Sequence, residues 1–377
     1  MQYYLAGGAI RDLLLGRRPA EFDIVFQGTP ADMERLYSTF RKVGKTTPAY
    51  IVNGYDHMPL VRSVQEDLLA RDCTINALIM DENGVVHALP QTFADLRDGI
   101  IRHVSETAFI KDPVRVLRAA RFTATLPGFS IYPETLTLMR EAAQMPPFQK
   151  IAAERVGNEC MKAMIGHTPS NFLRALAAAG ALSPWFDPLS AGMDIPAGPV
   201  QYHGETNVFD HIVTVMDMIA VKPLAETDRA LAVWMGFCHD IGKLITPPEM
   251  LPHHFKHEKR GEEMVEILSK RLKLPNLWNK AGRLAASLHM KASLYFSLRP
   301  GTKIDLLHTL AKSRLFIPFC ALVEVDTNNE RISEMMCRDM GRMLAVKLPE
   351  AWRNRGEESS QELRRLRIQT LVDGPGP

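Results

Sequence analysis

Cysteine is scarce in this chain of 377 residues, and the few cysteines form no pattern. No Cys-x-x-Cys pair occurs. An odd and dispersed set argues against a disulfide framework and against a zinc ribbon, and it predicts reduced thiols. The cysteines are Cys73, Cys160, Cys238, Cys320 and Cys337.

Long apolar runs and a signal peptide are also absent from the sequence. No run approaches the roughly 18 apolar residues that are needed to cross a bilayer. Near the N-terminus, Arg11 and Asp12 interrupt the apolar stretch, so the pattern of a signal peptide does not form. We therefore expect a cytoplasmic protein with no membrane partner.

A large excess of charge of either sign is missing too. The formal net charge is +2, so binding to a nucleic acid would need a local basic face. A hydrophobic content of 46% is ample for a globular core, and the length predicts two to three domains.

What the sequence does contain is a compact motif near its N-terminus. A short apolar run leads into Gly7-Gly8 and Arg11, and Glu21 and Asp23 follow one residue apart. Adjacent glycines let backbone amides approach an anion, and Arg11 can then hold a phosphate. Because residues i and i+2 of a strand point to one side, the two carboxylates can share a metal cluster. The combination suits nucleotide transfer from a triphosphate, although a simple turn followed by an exposed strand edge would give the same residues.

The order of predicted elements indicates a mixed α/β N-terminal part followed by helices. Strands are predicted at residues 3–5, 22–26, 50–52, 77–80 and 85–88, and helices at residues 9–15 and 31–40. From about residue 112 onwards the strand signals disappear and long helical patterns follow. The Pro-, Gly- and Ala-rich segment at residues 184–199 is the best linker candidate, and residues 374–377 are expected to be disordered.

Further motifs follow the first in a fixed order. Residues 71–77 read RDCTINA, residues 95–102 read DLRDGIIR, residues 111–122 read KDPVRVLRAARF, and residues 153–159 read AERVGNE. In the third of these segments arginines recur every third residue, so Arg115, Arg118 and Arg121 share one broad face of a helix. That face is too cationic to be core.

With these motifs in this order, the sequence closely resembles the class II tRNA nucleotidyltransferases, which build or repair the CCA end of tRNA, and their poly(A) polymerase relatives. The resemblance covers nearly the whole chain. It implies an α+β protein with a mixed α/β nucleotidyltransferase head at residues 1–124 and a helical neck, RNA-binding body and linker at 125–199. An all-α HD domain at 200–330 and a helical tail at 331–377 would follow.

The resemblance also implies roles for individual residues. Glu21 and Asp23 would be the catalytic carboxylates that hold Mg²⁺, and Asp112 with Arg115 would pair with the edge of the incoming base. Asp112 before Pro113 is also a good helix N-cap, and both roles can hold. The triphosphate would be bound by Gly8, Arg11, Arg71, Arg118 and Arg121.

Departures from the family pattern concern the nucleotide that is added. Glu21 stands where aspartate is commoner, and Lys111 stands where the family usually has glutamate. The interval from Asp23 to Arg71 is short, whereas relatives that add the whole CCA carry a longer loop there. The resemblance therefore leaves three activities open: CCA addition, CC addition without the terminal A, and poly(A) synthesis.

A second constellation of histidines and aspartates lies in the helical part. Such ligands suit Mg²⁺ or a transition metal. The segment FCHDIGK at residues 237–243 resembles the core of HD-domain phosphohydrolases, and relatives with this domain have metal-dependent phosphatase, 2′-nucleotidase and 2′,3′-cyclic phosphodiesterase activities. By this resemblance the ligands are His211, His239, Asp240 and Asp326, and the residues lining the site are His257 and His289.

Together these expectations describe an RNA nucleotidyltransferase with an attached HD phosphohydrolase. The expected partners are the tRNA 3′ end, CTP and ATP, and the expected cofactors are Mg²⁺ in the head and a transition metal such as Ni²⁺ or Mn²⁺ in the HD site. A monomer and a homodimer are both compatible with the sequence. The rival from another class is a phosphohydrolase whose head only binds RNA.

Overall fold

The computed structural model describes residues 2–43, 49–60, 63–199 and 207–373. The chain forms two compact units, one from Met1–Ile151 with Arg174–Ala181 and the other from Ala152–Leu173 with Leu182–Pro377. The predicted disorder of residues 374–377 falls outside the described residues. Within the described part, no helix has both the length and the apolar character to span a membrane.

A seven-stranded mixed sheet forms the middle of the first unit. Its strand order is β3-β4-β5-β2-β1-β6-β7, with β2 parallel to β5 and antiparallel to β1. The elements up to the end of the sheet are β1 (Gln2–Ala6), α1 (Gly8–Leu14), β2 (Asp23–Gln27), α2 (Pro30–Leu36), β3 (Arg41–Val43), β4 (Ala49–Val52), β5 (Tyr55–Pro59), α3 (Val64–Ala70), β6 (Leu78–Met80) and β7 (Val86–Ala88).

Both faces of this sheet are covered by apolar side chains. Val25 belongs to one buried cluster with Tyr4 and Ile79, and the next residue, Phe26, belongs to another with Tyr50. This alternation is what a strand buried on both faces requires. The strand β2 that carries Asp23 is therefore fixed from two sides.

After the sheet, the first unit continues with short helices and a small two-stranded sheet. The elements are α4 (Thr92–Asp98), β8 (Ile100–Ile101), α5 (Ala108–Lys111), α6 (Val114–Thr125), β9 (Ser130–Ile131), α7 (Pro133–Gln144) and α8 (Pro146–Gln149). The helix α9 (Ala153–Met164) belongs to the second unit. The helix α10 (Ser170–Ala178) begins in the second unit and ends in the first.

The second unit is helical in its described part. Its remaining elements are α11 (Val208–Ala220), α12 (Glu226–Cys238), α13 (His257–Arg271), α14 (Asn276–Ser293), α15 (Pro300–Ser313), α16 (Phe316–Thr327), α17 (Glu330–Ala345) and α18 (Glu357–Val372). Trp234 of α12 is fully buried, and its indole nitrogen donates to the backbone oxygen of Trp278 on α14. This contact ties together two helices that each lead to a candidate metal ligand.

The predicted fold class is confirmed, and the differences from the predicted elements are local. The helix expected at residues 31–40 ends at Leu36, because Tyr37 takes an extended conformation. The strands β3, β5, β8 and β9 were not predicted, and β9 lies beyond residue 112, where no strand was expected, because its two residues pair with β8 from a distant part of the chain. Residues 184–199 also differ from an open linker: they include a 3₁₀ turn, Leu189–Met193, and buried apolar residues that pack within the second unit. These are Trp185, Phe186, Leu189 and Ala197.

Candidate functional site

In the first unit, three carboxylates meet where β2 begins. Asp23 is the first residue of β2, Glu21 lies two residues before it, and Asp56 of β5 is its partner in the parallel register. Burial raises the pKa of Asp23, and the charges of Glu21 and Asp56 raise it further, against the opposing charges of Arg71 and Arg118. A cation placed here would relieve this repulsion, so the donor set fits a Mg²⁺ site. Asp56 was not singled out in the sequence, because its pairing with Asp23 depends on an unpredicted strand.

The glycine pair makes room for an arginine. Gly7 has a φ of 68°, and a Cβ at this position would lie 2.8 Å from a terminal nitrogen of Arg71. The guanidinium of Arg71 donates to Asp67 Oδ2 through Nε and Nη2, at 3.1 and 2.7 Å, and to the backbone oxygen of Asn76. Gly8 is the first residue of α1. The requirement for glycine is therefore strongest at Gly7, which the sequence motif contains but which was not assigned a role.

A buried network connects two of the predicted phosphate-binding arginines. Arg11 donates to Asn76 Oδ1 at 2.7 Å, Asn76 donates to Asp72 Oδ1 at 3.2 Å, and Arg118 donates from Nε to Asp72 Oδ2 at 2.7 Å. Burial alone would raise the pKa of Asp72, but the charge of Arg118 and the hydrogen bonds hold it well below its usual range. Asp72 is thus an anion that orients Arg118.

The side chain of Phe122 lies among three guanidinium groups. Its ring centroid is 4.4 Å from Arg121, 5.6 Å from Arg11 and 5.8 Å from Arg118. The electron-rich faces of an aromatic ring attract cations within about 6 Å of the ring centroid. The structure therefore brings together Arg11, Arg118 and Arg121 as one cationic cluster, which we call the Phe122 cluster.

Arg115 contacts the protein backbone. Its terminal nitrogens donate to the backbone oxygens of Ala70, Arg71 and Ala108. The helix α6 begins at Val114 after Pro113, and the backbone oxygen of Asp112 accepts from the amide of Arg115. Arg115 therefore holds the segment that carries Arg71. The role predicted for Arg115, pairing with the edge of the base, did not include this contact.

In the second unit, the four predicted ligands of the HD site converge from three segments. His211 lies on α11, His239 caps α12, Asp240 follows it, and Asp326 lies on α16. The Oδ2 atom of Asp240 is 3.1 Å from His211 Nε2 and 3.4 Å from His239 Nε2. Asp326 Oδ1 lies 3.7 and 3.4 Å from the same two nitrogens.

A second pair of histidines faces the other oxygen of Asp240. Asp240 Oδ1 is 3.2 Å from Nε2 of His257, at the start of α13, and 3.4 Å from Nε2 of His289, on α14. This oxygen is buried and makes no hydrogen bond with the described residues. The ligand atoms fall into two groups that share Asp240, and within each group they lie within 4.8 Å of one another. Both groups have the composition of a metal site.

Hydrogen bonds on the far side of the rings orient these histidines. Nδ1 of His239 lies 2.7 Å from the Gly236 carbonyl, Nδ1 of His257 2.8 Å from the His254 carbonyl, and Nδ1 of His289 3.0 Å from the Ala285 carbonyl. A carbonyl only accepts, so each Nδ1 carries a proton and each Nε2 is turned towards the centre.

The inward nitrogens are spaced as ligands of a shared cation would be. His211 Nε2 and His239 Nε2 are 3.0 Å apart, and His257 Nε2 and His289 Nε2 are 3.2 Å apart. Two imidazole ligands at about 2.1 Å from a metal are separated by about 3 Å. Burial lowers the pKa of His239, but the charges of Asp240 and Asp326 outweigh it and raise the pKa to about 10.

Lys243 adds a positive charge beside Asp240 in this centre. Its ammonium is buried, lies 2.8 Å from Asp240 Oδ2 and donates to the backbone oxygen of Ala197. Gly242, beside it, packs so closely against α13 that an added Cβ would collide with the backbone of His257 and Gly261. The sequence motif contained both residues, but neither was predicted to be a site residue.

Three family models match the chain. They are a "Poly A polymerase head domain" at residues 3–57, a "Probable RNA and SrmB- binding site of polymerase A" at residues 128–192 and an "HD domain" at residues 208–313. The nucleotidyltransferase and HD domains both imply dependence on divalent metals, which agrees with the two carboxylate-containing sites.

Solved structures share the fold at low sequence identity. A CCA-adding enzyme of Bacillus stearothermophilus in complex with CTP has a TM-score of 0.64 and 22% identity, and covers 100% of this chain and 85% of that one. The Thermotoga maritima CCA-adding enzyme complexed with tRNA has a TM-score of 0.63 and 20% identity, with coverages of 100% and 88%.

Curated relatives are more similar in sequence. The multifunctional CCA protein of Mannheimia succiniciproducens is 34% identical over 336 residues, which are 82% of this chain and 79% of the relative. That of Pseudoalteromonas atlantica is 36% identical over 331 residues, with coverages of 81% and 80%. This identity over most of both chains confirms the resemblance seen in the sequence motifs: the chain belongs to the multifunctional CCA protein family.

Proposed function

We propose that this chain adds the CCA sequence, or part of it, to tRNA 3′ ends from CTP and ATP without a nucleic-acid template. The observation that carries the proposal is the position of the carboxylates around Asp23 beside Arg71 and Arg118, in a unit that also contains the Phe122 cluster. Mg²⁺ held by Glu21 and Asp23 would lower the pKa of the RNA 3′-hydroxyl and neutralise charge on the leaving pyrophosphate.

The chain's own residues bind and orient the substrates. The Phe122 cluster and Arg71 bind the triphosphate, and Asp72 and Asp67 hold Arg118 and Arg71 in position for it. Asp112 and Arg115 present an acceptor and a planar donor to the edge of the incoming base. Because these residues supply position and charge, the transfer needs no covalent enzyme intermediate.

Addition of CC without the terminal A is the second candidate. The strand β5 ends at Pro59 and α3 already begins at Val64, so little chain connects the sheet to Arg71. The test is incubation of tRNA lacking its CCA with CTP, with ATP and with both, with products resolved at single nucleotides. Growth by three nucleotides supports CCA addition, growth by two supports CC addition, long A tails support poly(A) synthesis, and no growth contradicts the transferase.

We further propose that the HD unit is a phosphohydrolase for 2′,3′-cyclic phosphates and 2′-phosphates. His211, His239, Asp240 and Asp326 would hold one divalent cation, and Asp240, His257 and His289 a second, which extends the predicted lining role of the last two histidines. Cations such as Ni²⁺ or Mn²⁺ would polarise the phosphate and activate water. Hydrolysis of 2′,3′-cyclic AMP by the wild type, assayed with Ni²⁺, Mn²⁺, Co²⁺ and Mg²⁺, tests this activity.

The remaining expectations are also proposals. The four-segment division at residues 1–124, 125–199, 200–330 and 331–377 is tested by limited proteolysis with mass spectrometry of the fragments. A cytoplasmic location is tested by cell fractionation, and the choice between monomer and homodimer by light scattering coupled to gel filtration.

A further inference from the structure

An exposed aromatic stack lies on the turn that leads into α13. The rings of His253 and Phe255 are 5.5 Å apart and inclined by only 16°. Phe255 is 65% exposed, more than the other exposed phenylalanines of the described chain. One face of its ring rests on His253, so the open surface is available to another flat ring.

The turn that presents this stack is held rigidly. The side chain of Arg260 donates to the backbone oxygen of Phe255 at 2.7 Å and to Thr246 Oγ1 at 2.9 Å. His254, between the two stacked residues, is buried and bonds to Thr246 Oγ1 and to the Pro196 carbonyl, each at 2.8 Å. A fixed position reduces the entropy lost when a ligand binds.

The backbone reverses direction at the end of this turn. Lys256 has a φ of 62°, a left-handed conformation that glycine would adopt with less strain. The reversal at Lys256 leaves Phe255 exposed while His257 is buried in the HD centre.

The stack is close to the HD centre along the chain. Two residues of chain reach at most about 7 Å, so Phe255 lies near His257, whose Nε2 faces Asp240. Lys256 and Lys259, both exposed, add positive charge to the same turn. An aromatic platform with cations beside a phosphate-processing centre matches the chemistry of a nucleotide: a base that stacks and a phosphate that carries negative charge.

We propose that His253 and Phe255 form the base-binding subsite of the HD centre. The base of a nucleotide with a 2′-phosphate or 2′,3′-cyclic phosphate stacks on the open face of Phe255, and its phosphate lies at the metal cluster. The proposal rests on the proposed phosphohydrolase function, and it makes Phe255 a specificity-determining residue for nucleotides over other phosphate esters.

The test compares two substrates of the full-length protein. 2′,3′-Cyclic AMP carries a base, whereas glycerol 1,2-cyclic phosphate has the same five-membered cyclic diester and no base. Phe255→Ala should raise KM for cyclic AMP by about 5- to 150-fold, the range expected for the loss of one base stack, with kcat within about twofold. KM for the glycerol ester should not change, and Phe255→Trp should restore the wild-type KM for cyclic AMP.

Phe296→Ala is the matched control, because Phe296 is a half-exposed phenylalanine elsewhere in the same unit. It should leave both KM values unchanged. Equal rises for both substrates in Phe255→Ala, or no rise for cyclic AMP, would overturn the subsite.

A binding measurement separates this proposal from the phosphohydrolase activity. Titration of Phe255→Trp with 2′-AMP should quench fluorescence that the wild type does not lose. If the wild type hydrolyses nothing with any tested metal, the proposed activity fails. The fluorescence quench then decides alone: its presence supports the subsite and its absence overturns it.

The kinetics with an oligoribonucleotide ending in a 2′,3′-cyclic phosphate show whether the natural substrate is an RNA end or a free nucleotide. A larger Phe255→Ala effect on this substrate supports an RNA end, and a smaller one supports a free nucleotide.

Discussion

The two candidate sites handle charge in different ways. In the head, Arg11, Arg71 and Arg118 are each held by a carboxylate of the protein, and the side chain of Arg118 is 38% exposed. In the HD centre, the imidazoles and Asp240 are almost fully buried, and their Nε2 atoms point at one another across about 3 Å. The first arrangement can receive a large anionic substrate, whereas the second is already shaped around small cations.

The difference teaches what each site must gain to work. The head contains both signs of charge, so its arginines stay oriented without a ligand. The HD centre has lone pairs and a carboxylate oxygen that are satisfied only by protons or metal ions. We therefore expect the head to respond most to changes of substrate-facing charge, and the HD centre to respond most to changes of metal occupancy.

Asp23→Ala should break the head and leave the HD centre intact. Loss of a carboxylate that holds Mg²⁺ should lower the rate of CMP addition to tRNA by about 10³-fold or more, while hydrolysis of 2′,3′-cyclic AMP is unchanged. Asp98→Ala removes an exposed carboxylate of the same unit and is the control. Near-normal CMP addition by a folded Asp23→Ala protein would contradict the metal assignment.

His289→Ala should reduce the HD centre from two cations to one. The change removes an Nε2 ligand from the group with Asp240 and His257, so hydrolysis should fall by about 10²-fold while CMP addition persists. Equilibrium dialysis against Ni²⁺ followed by mass spectrometry of the metal gives the number bound per chain. His308→Ala, at an exposed histidine of α15, should retain the wild-type number. A count of two in His289→Ala, or of one in the wild type, would contradict the shared-aspartate arrangement.

The sequence predicts more of the HD centre than of the carboxylate site in the head. His211, His239 and Asp240 are predicted through the resemblance of residues 237–243 to the HD core, and the structure brings them within 4.8 Å of one another. Asp56 was not selected, because a single aspartate in a short strand has no distinctive pattern. Its relation to Asp23 comes from the parallel register of β2 and β5, which depends on long-range pairing.

The prediction of the fold is limited in the same way, because only elements with a local apolar pattern are predicted. The strands at residues 3–5 and 50–52 were predicted from local apolar patterns and were found, whereas the three residues of β3 carry two exposed cations, Arg41 and Lys42, and gave no such pattern. The backbone contacts of Arg115 were likewise hidden, because the carbonyl groups at residues 70, 71 and 108 have no signature in the sequence.

Asp72→Asn tests whether Asp72 orients Arg118 for the triphosphate. The amide loses the charge that holds Arg118, so KM for CTP should rise about tenfold, and the free energy of unfolding at pH 7 should fall by about 1.5–3 kcal/mol. The folded-state pKa of Asp72 lies below the unfolded value of about 3.9, so its stabilisation is complete above about pH 4 and is lost as the pH falls below that value. The difference between wild type and variant should therefore be equal at pH 7 and pH 5 in urea unfolding, and smaller at pH 3.

The control for Asp72→Asn is a second buried aspartate of the same unit. Asp95 accepts hydrogen bonds from Arg102 and Thr74, so Asp95→Asn should lower stability without changing KM for CTP. An unchanged KM in Asp72→Asn would show that the buried network serves the fold alone.

Arg115→Ala gives the smallest expected effect and separates two roles of one side chain. If its guanidinium pairs with the base edge, the ratio of kcat/KM for CTP to that for UTP should fall by about three- to tenfold, with KM for the triphosphate changed by less than threefold. This is the result we expect from the proposed template. Arg115→Lys keeps the charge but not the planar donor pair, so it should show the same loss of selectivity. If instead both variants raise KM equally for all nucleotides, Arg115 acts only through the backbone oxygens of Ala70 and Arg71, as a positioning residue for the neighbouring guanidinium.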